Sequence, residues 1–165
     1  IVREMGPVFT CLMLAARVGA GMASEIGSMT VTQQIDAIRA LGTSPIKKIV
    51  IPRLLGCLIA IPILCLAANF IGIFGALVVC ANDLGVDPVF FVQKVLNTLW
   101  LPDFFSGFAK TPVFAAVIAI SACYFGLNVK GGTKGVGNAT TMAVVSASIL
   151  ILTANYAVTE LFFSR

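Results

Sequence analysis

Four long apolar stretches dominate this chain of 165 residues and restrict the folds that it can adopt. They cover residues 5–24, 49–81, 104–126 and 139–163. Each is long enough to cross a bilayer as a helix, which takes about 20 predominantly apolar residues. Only 11% of all residues are charged, less than half the roughly 25% of an average soluble domain. The sequence therefore predicts an integral membrane protein.

The spans are predicted to be helices. None of them alternates polar and apolar residues with the period of two that marks a membrane barrel strand. We therefore predict an all-α fold, a polytopic transmembrane helical bundle that forms a single domain over residues 1–165. The second span is too long for one straight crossing, so Pro52 and Pro62 are expected to bend it or to let its first turns follow the membrane surface.

Charges in the connections predict the orientation of the bundle. Residues 25–48 carry three basic side chains and residues 127–138 carry two, whereas residues 82–103 have one lysine against three aspartates. The positive-inside rule places the first and third connections in the cytoplasm and the second, with a predicted helix at 88–101, outside. Both chain ends then lie outside, and because the chain opens without an export signal we expect a further membrane segment upstream. The basic residues follow from this topology and indicate no nucleic acid.

A short amphipathic helix is predicted over residues 30–42. Thr30 and Gln33 have the spacing of a capping box, and Gly42 suits the left-handed residue after a helix end. Apolar residues recur on one side of this helix at Val31, Ile35, Ile38 and Leu41. That side could rest on lipid headgroups or fit a groove on a cytoplasmic protein. The mixed charge of the opposite side favours the protein.

Polar residues inside the spans are costly and mark functional or packing sites. Arg17 in the first span is expected to face the bundle interior, a water-filled cavity or an acidic partner, and Glu25 lies too far along the helix to pair with it. Asn155 is the corresponding polar candidate in the last span. Small residues spaced by four predict close helix packing, within the chain or against a second copy: Ala15, Gly19, Ala23 and Gly27.

Several motifs, in the right order, resemble the MlaE/YrbE permease family over essentially the whole chain. They are Arg3-Glu4-x-Gly6-Pro7, Ala16-Arg17-x-Gly19, Glu25-Ile26-Gly27-x-Met29, Gln34-Ile35-Asp36-Ala37-Ile38 and Gly135-Val136-Gly137-x-Ala139-Thr140-Thr141. Members of this family are the membrane subunits of MCE-associated ABC transporters, which move phospholipid between the inner and outer membranes. The resemblance implies a multi-pass protein of the bacterial inner membrane.

The resemblance also implies the partners. Residues 30–42 would form a coupling helix on an ATP-binding cassette subunit, through Val31, Gln34, Ile35, Asp36, Ile38, Arg39 and Leu41. The chain contains no GxxxxGK[ST] sequence, so ATP and Mg belong to that subunit and this chain is not itself an enzyme. A second copy of the chain, a periplasmic ring of MCE-domain proteins and a small STAS-domain protein complete the implied assembly.

The same family places a lipid cavity at the outer mouth of the first span. Arg3 and Glu4 would border it, and the acyl path would be lined by Met5, Val8 and Leu12. An ordinary charged helix end is the alternative for the charged pair. Relatives often carry an aspartate at the position of Asn155, so a role that needs this charge does not transfer to the present chain.

Two functions from other classes remain open. A secondary transporter or channel would need an ion or proton site in the middle of the membrane, where Arg17 and Asn155 are the candidates. A membrane scaffold would use the loop helix only to recruit a cytoplasmic partner.

Overall fold

The computed structural model describes the backbone of residues 4–83, 85–98 and 101–163. In these ranges the chain contains only helices and their connections, which confirms the predicted all-α bundle. The helices are α1 (Met5–Leu14), α2 (Ala20–Val31), α3 (Gln34–Ala40), α4 (Ile51–Asp83), α5 (Pro88–Thr98), α6 (Leu101–Leu127) and α7 (Gly132–Phe163). Two π-helical segments complete them: Ala15–Gly19 joins α1 to α2, and Ile46–Val50 leads into α4.

Among the described residues, four helical stretches are long and apolar enough to cross a membrane. They are Met5–Val31, Ile46–Asn82, Phe105–Leu127 and Gly132–Leu161. Because successive stretches run in opposite directions, the bundle has two ends. We call them the Glu4 end, where α1 begins and α7 ends, and the α3 end, where α2 and α6 end.

The predicted capping box is wrong. Thr30 lies inside the last turn of α2, where its Oγ1 is 2.9 Å from the carbonyl oxygen of Ile26 and 3.0 Å from that of Gly126. α3 begins immediately after Gln33, which adopts a left-handed backbone with φ 60° and makes no capping hydrogen bond through its side chain. Because Thr30 contacts α6, α2 continues through the position at which the local pattern predicted the start of the next helix. The predicted left-handed backbone of Gly42 is confirmed, with φ 74°.

α6 lies at the centre of the bundle. Half of the residues in its most apolar 18-residue stretch are buried, against 6% in the corresponding stretch of the second span. The main core joins side chains from the first span, α4, α6 and α7: Cys11, Ala15, Cys57, Ile61, Phe114, Ile118, Ala147 and Ile151. A smaller cluster at the α3 end contains Ile26, Ile35, Ile49 and Cys123.

The small-residue stripe packs inside this chain. Ala15 and Ala23 are fully buried. A Cβ atom on Gly27 would lie 3.0 Å from a methyl group of Val129, and one on Gly19 would lie 3.4 Å from Ile118. Small side chains therefore let the first span approach its neighbours closely. Of the two predicted alternatives, packing within the chain is confirmed.

Candidate functional sites

A buried lysine forms an ion pair at the Glu4 end of the bundle. The side chain of Lys110 in α6 is 1% exposed, and its Nζ lies 2.6 Å from Oε1 of Glu4. The same Nζ donates a hydrogen bond to Oγ1 of Thr159 in α7 at 2.7 Å. One cation thus ties together the start of α1, α6 and α7. Burying an ammonium group is costly unless it is paired in this way.

The sequence interpretation missed Lys110, although the signal was present. It is the lone charged residue in the predicted span 104–126, and an ionisable residue at such a position is a functional candidate by default. Arg3, the predicted neighbour of Glu4 in the site, lies outside the described residues.

The other groups around the ion pair are suited to receive a polar ligand. Glu4 keeps 39% of its side chain exposed. Burial acts to raise the pKa of its carboxyl, but the hydrogen bond and charge of Lys110, together with hydrogen bonds from Asn155 and Thr159, outweigh this effect and hold that pKa below its ordinary value. Asn155 lies one turn before Thr159, and its Oδ1 is buried without a hydrogen-bond partner in the described part of the chain. An unsatisfied buried acceptor is costly and favours the entry of a donor group.

The exposed side of α1 next to this ion pair is apolar. Met5, Phe9 and Met13 are 56%, 60% and 74% exposed, and their four-residue spacing places them on one face. Val8 and Leu12 instead pack against the main core. The acyl path stays a prediction: Met5 lies on the exposed face, whereas Val8 and Leu12 are half-buried against the main core.

α3 presents its predicted residues on two sides. Ile35 is 4% exposed and packs in the α3-end cluster with Ile26 and Ile49, and Ile38 packs against the same cluster. The remaining predicted residues are exposed: Val31, Gln34, Asp36, Arg39 and Leu41. The bundle thus covers Ile35, and Ile38 is half-buried against it, so a contact of these two residues with a partner stays a prediction. Leu41, at 80% exposed, is more exposed than the other large apolar side chains of α3 and its flanks.

Arg17, Glu25 and Asn155 do not come together. Arg17 lies in the first π-helical segment with an exposed side chain and makes no hydrogen bond or ion pair with a described residue, so it does not face the interior of this bundle. It lies about 20 Å along the helix from Glu4, at 1.5 Å per residue. Asn155 belongs to the Glu4 end, where its carbonyl oxygen accepts a bond from Thr159 at 2.7 Å. Arg17 and Asn155, the two candidates for the mid-membrane site of a secondary transporter, are therefore not brought together.

Comparison with known proteins decides the family. The sequence pattern described as Permease MlaE matches residues 1–161. The chain belongs to the MlaE permease family. A probable ABC transporter permease protein of Rickettsia felis is 45% identical over 163 residues, which cover 99% of this chain and 63% of that protein. A probable ABC transporter permease protein of Synechocystis is 40% identical, with 99% and 62% covered.

A chloroplast relative extends the MlaE family comparison beyond bacteria. The Arabidopsis thaliana protein TRIGALACTOSYLDIACYLGLYCEROL 1, chloroplastic, is 33% identical over 161 residues, which cover 98% of this chain and 46% of that protein. The chain thus spans less than two thirds of the length of these relatives. With its four candidate spans, this member of the MlaE permease family is a multi-pass membrane protein.

Proposed function

We propose that this chain is the membrane-spanning subunit of an ABC-type transporter that moves phospholipid between the inner and outer membranes of a bacterium. One observation carries the proposal: the buried ion pair of Lys110 and Glu4 adjoins an exposed apolar face on α1. The family supports the transporter class, since its bacterial relatives are named as probable ABC transporter permeases.

A phospholipid requires both parts of this arrangement. Its phosphate pairs with the ammonium of Lys110 when the partly exposed carboxylate of Glu4 swings aside. An amine or hydroxyl of the headgroup then finds acceptors in Glu4 and in the unsatisfied Oδ1 of Asn155. The acyl chains lie along the face of Met5, Phe9 and Met13, which supplies the apolar wall that most of the ligand needs.

A separate ATP-binding cassette subunit supplies the energy. It docks on the exposed surface of α3 and its flanks, where Leu41 offers an apolar anchor beside the charged pair Asp36 and Arg39. Such docking is the helix-in-groove mode of recognition. Ile35 takes no part in this contact, because it fastens α3 to the bundle.

The proposed assembly has two membrane halves, and this chain supplies one, so a second copy completes it. Lipid then binds between the halves and exchanges at the Glu4 end with a periplasmic ring of MCE-domain proteins. A small STAS-domain protein binds on the opposite side. The proposed site of action is the bacterial inner membrane, with the α3 end facing the cytoplasm as the charge distribution predicts.

Photo-crosslinking in the assembled transporter tests the lipid path. A photoreactive residue at Phe9 or Met13 should capture labelled phospholipid in proteoliposomes, whereas the same residue at the inward-facing Leu12 serves as the matched control. Lys110→Met should reduce both the capture and the lipid transfer. Equal capture at all three positions, or undiminished transfer by Lys110→Met, contradicts the proposed path. Failure of the complex to retain an ATP-binding subunit contradicts the transporter class and favours a secondary transporter or a scaffold.

A further inference from the structure

Arg53 connects the second span to the first at the α3 end. Its Nη2 lies 2.9 Å from Oε2 of Glu25, and its Nη1 donates a longer bond of 3.4 Å to the carbonyl oxygen of Met22. The guanidinium thus contacts two consecutive turns of α2 at once. The Arg53 side chain is 21% exposed, whereas that of Glu25 is 67% exposed.

Thr30 connects the first span to the third at the same end. Its Oγ1 lies within hydrogen-bond distance of Gly126 in α6. The backbones approach closely here, because a Cβ atom on Gly126 would lie 2.8 Å from Cβ of Ile26 and 3.1 Å from the carbonyl oxygen of Ala23. A contact of this closeness fixes the rotation of α2 on α6, since any larger side chain would collide.

The contacts of Arg53 with Glu25 and of Thr30 with Gly126 join the three helix ends, and we call them the joint. α3 is attached directly to it. It follows α2 after only Thr32 and Gln33, and Ile35 packs against Ile26 of α2 and Ile49 of the segment before α4. A displacement of α3 therefore acts on the same helix ends that Arg53 and Thr30 hold together.

The joint lies on helices that also carry the lipid site. The first span runs as one helical stretch from Met5 to Val31, with Glu4 at its start and Thr30 in its last turn. α6 carries Lys110 toward one end and Gly126 toward the other. The first and third spans are thus linked at both ends, by the ion pair of Glu4 and Lys110 and by the contact of Thr30 with Gly126.

We infer that Glu25, Arg53 and Thr30 are positioning residues, which hold the α3 surface at a fixed orientation to the bundle so that its movement reaches the Glu4–Lys110 pair. They touch neither lipid nor ATP. The inference rests on the proposed function and adds to it a route between the ATPase surface and the lipid site. An exposed ion pair adds little stability, and Glu25 is mostly exposed, so the pair of Glu25 and Arg53 matters for geometry more than for folding.

The test compares lipid movement with ATP hydrolysis in one preparation. The assembled transporter is reconstituted in liposomes, and labelled phospholipid transfer and phosphate release are measured together for Glu25→Gln and Arg53→Ala. We expect the lipid moved per ATP to fall by about two- to fivefold in Glu25→Gln, the range that loss of an exposed ion pair corresponds to. Binding of the ATPase subunit and the yield of assembled complex should not change. Lys134→Ala, which removes an exposed cation from the first turn of α7 at the same end of the bundle, is the control.

A charge-swapped pair provides the rescue. Glu25→Arg combined with Arg53→Glu restores the ion pair but not the bond to the Met22 carbonyl. The lipid moved per ATP should therefore recover in part. An unchanged lipid-to-ATP ratio in Glu25→Gln overturns the inference, as does a parallel loss of assembly and both activities, because that is the signature of a purely structural role. If Arg53→Ala fails to assemble, the lipid-to-ATP ratio of Glu25→Gln still tests the inference, because the Glu25 side chain is the more exposed of the two. A wild-type complex that moves no lipid refutes the proposed function and this inference with it.

Discussion

Removing the two partners of the Glu4–Lys110 pair should have unequal effects on stability. Glu4→Ala leaves Lys110 in place with 1% of its side chain exposed, whereas Lys110→Met leaves Glu4 with 39% exposed. The stranded lysine is enclosed by the bundle, but the stranded glutamate can turn toward water. We therefore expect the substitution of the exposed partner to be the more damaging one.

The size of the difference follows from burial. Stranding one charge of a buried pair costs about 3–5 kcal/mol, of which the hydrogen bond from Lys110 to Thr159 offsets about 1 kcal/mol. Glu4→Ala should therefore lower the free energy of unfolding by about 2–4 kcal/mol, and Lys110→Met by about 1 kcal/mol or less, since its partner is hydrated. The double variant contains no stranded charge, so it should lie close to Lys110→Met and recover most of the loss in Glu4→Ala.

Reversible unfolding of the purified protein in mixed micelles provides the measurement, with helicity followed against the fraction of denaturing detergent. All four proteins of the double-mutant cycle are compared under the same conditions. Two results would refute the reasoning: a loss in Lys110→Met that equals or exceeds the loss in Glu4→Ala, or a double variant as unstable as the sum of the single ones. Either result would mean that Lys110 is not enclosed as a charged group.

Four other substitutions and one pH titration test the remaining contacts. Gly126→Ala should lower the free energy of unfolding by about 1–3 kcal/mol through overpacking. In Gly56→Ala the added Cβ meets nothing within 4 Å, so this variant should be as stable as the wild type or more stable by up to about 1 kcal/mol. Thermal unfolding compares the two variants. Leu41→Asp should weaken binding of the ATPase subunit by about fivefold or more and leave stability unchanged, whereas Ile35→Ala should lower the free energy of unfolding by about 2–4 kcal/mol. Pull-down and unfolding assays separate these effects. The opposite pattern would contradict the assignment of the two faces of α3. The pKa of Glu4 is lowered from 4.5, so the stability that its ion pair contributes should be complete above pH 4.5 and be lost as the pH falls below that value; Glu4→Ala should remove this part of the pH dependence.

The coarse fold was predictable because membrane spans are encoded locally. A run of about 20 apolar residues is read without knowledge of any other part of the chain, and the helical bundle followed from it. The start of α3 was mispredicted because Thr30 has two local interpretations. Its hydroxyl can cap a following helix or bond back to its own helix, and its contact with the Gly126 carbonyl favours the second.

The site was predictable only in part. Glu4 and Asn155 were identified as candidates, and the structure places both at one end of the bundle. Val8 and Leu12, predicted to line the acyl path with Met5, are half-buried against the core, whereas Met5 lies on the exposed face. Lys110 was overlooked, although its place in an apolar span was visible in the sequence. No periodicity could have assigned these faces, because a span that is apolar all round carries no moment to show which side is buried.

By itself, the sequence determined that this protein is a multi-pass α-helical membrane protein of the MlaE permease family with an exposed helix between its first two spans. Hydropathy, charge asymmetry and motif order are properties of short stretches of sequence, so they can be recognised without knowledge of the tertiary structure. The tertiary structure alone decided which polar groups meet. Glu4 and Lys110 are 106 residues apart, and Thr30 and Gly126 are 96 apart. Such pairs depend on the rotation of each helix about its axis, which the surrounding lipid leaves undetermined because it is as apolar as the core.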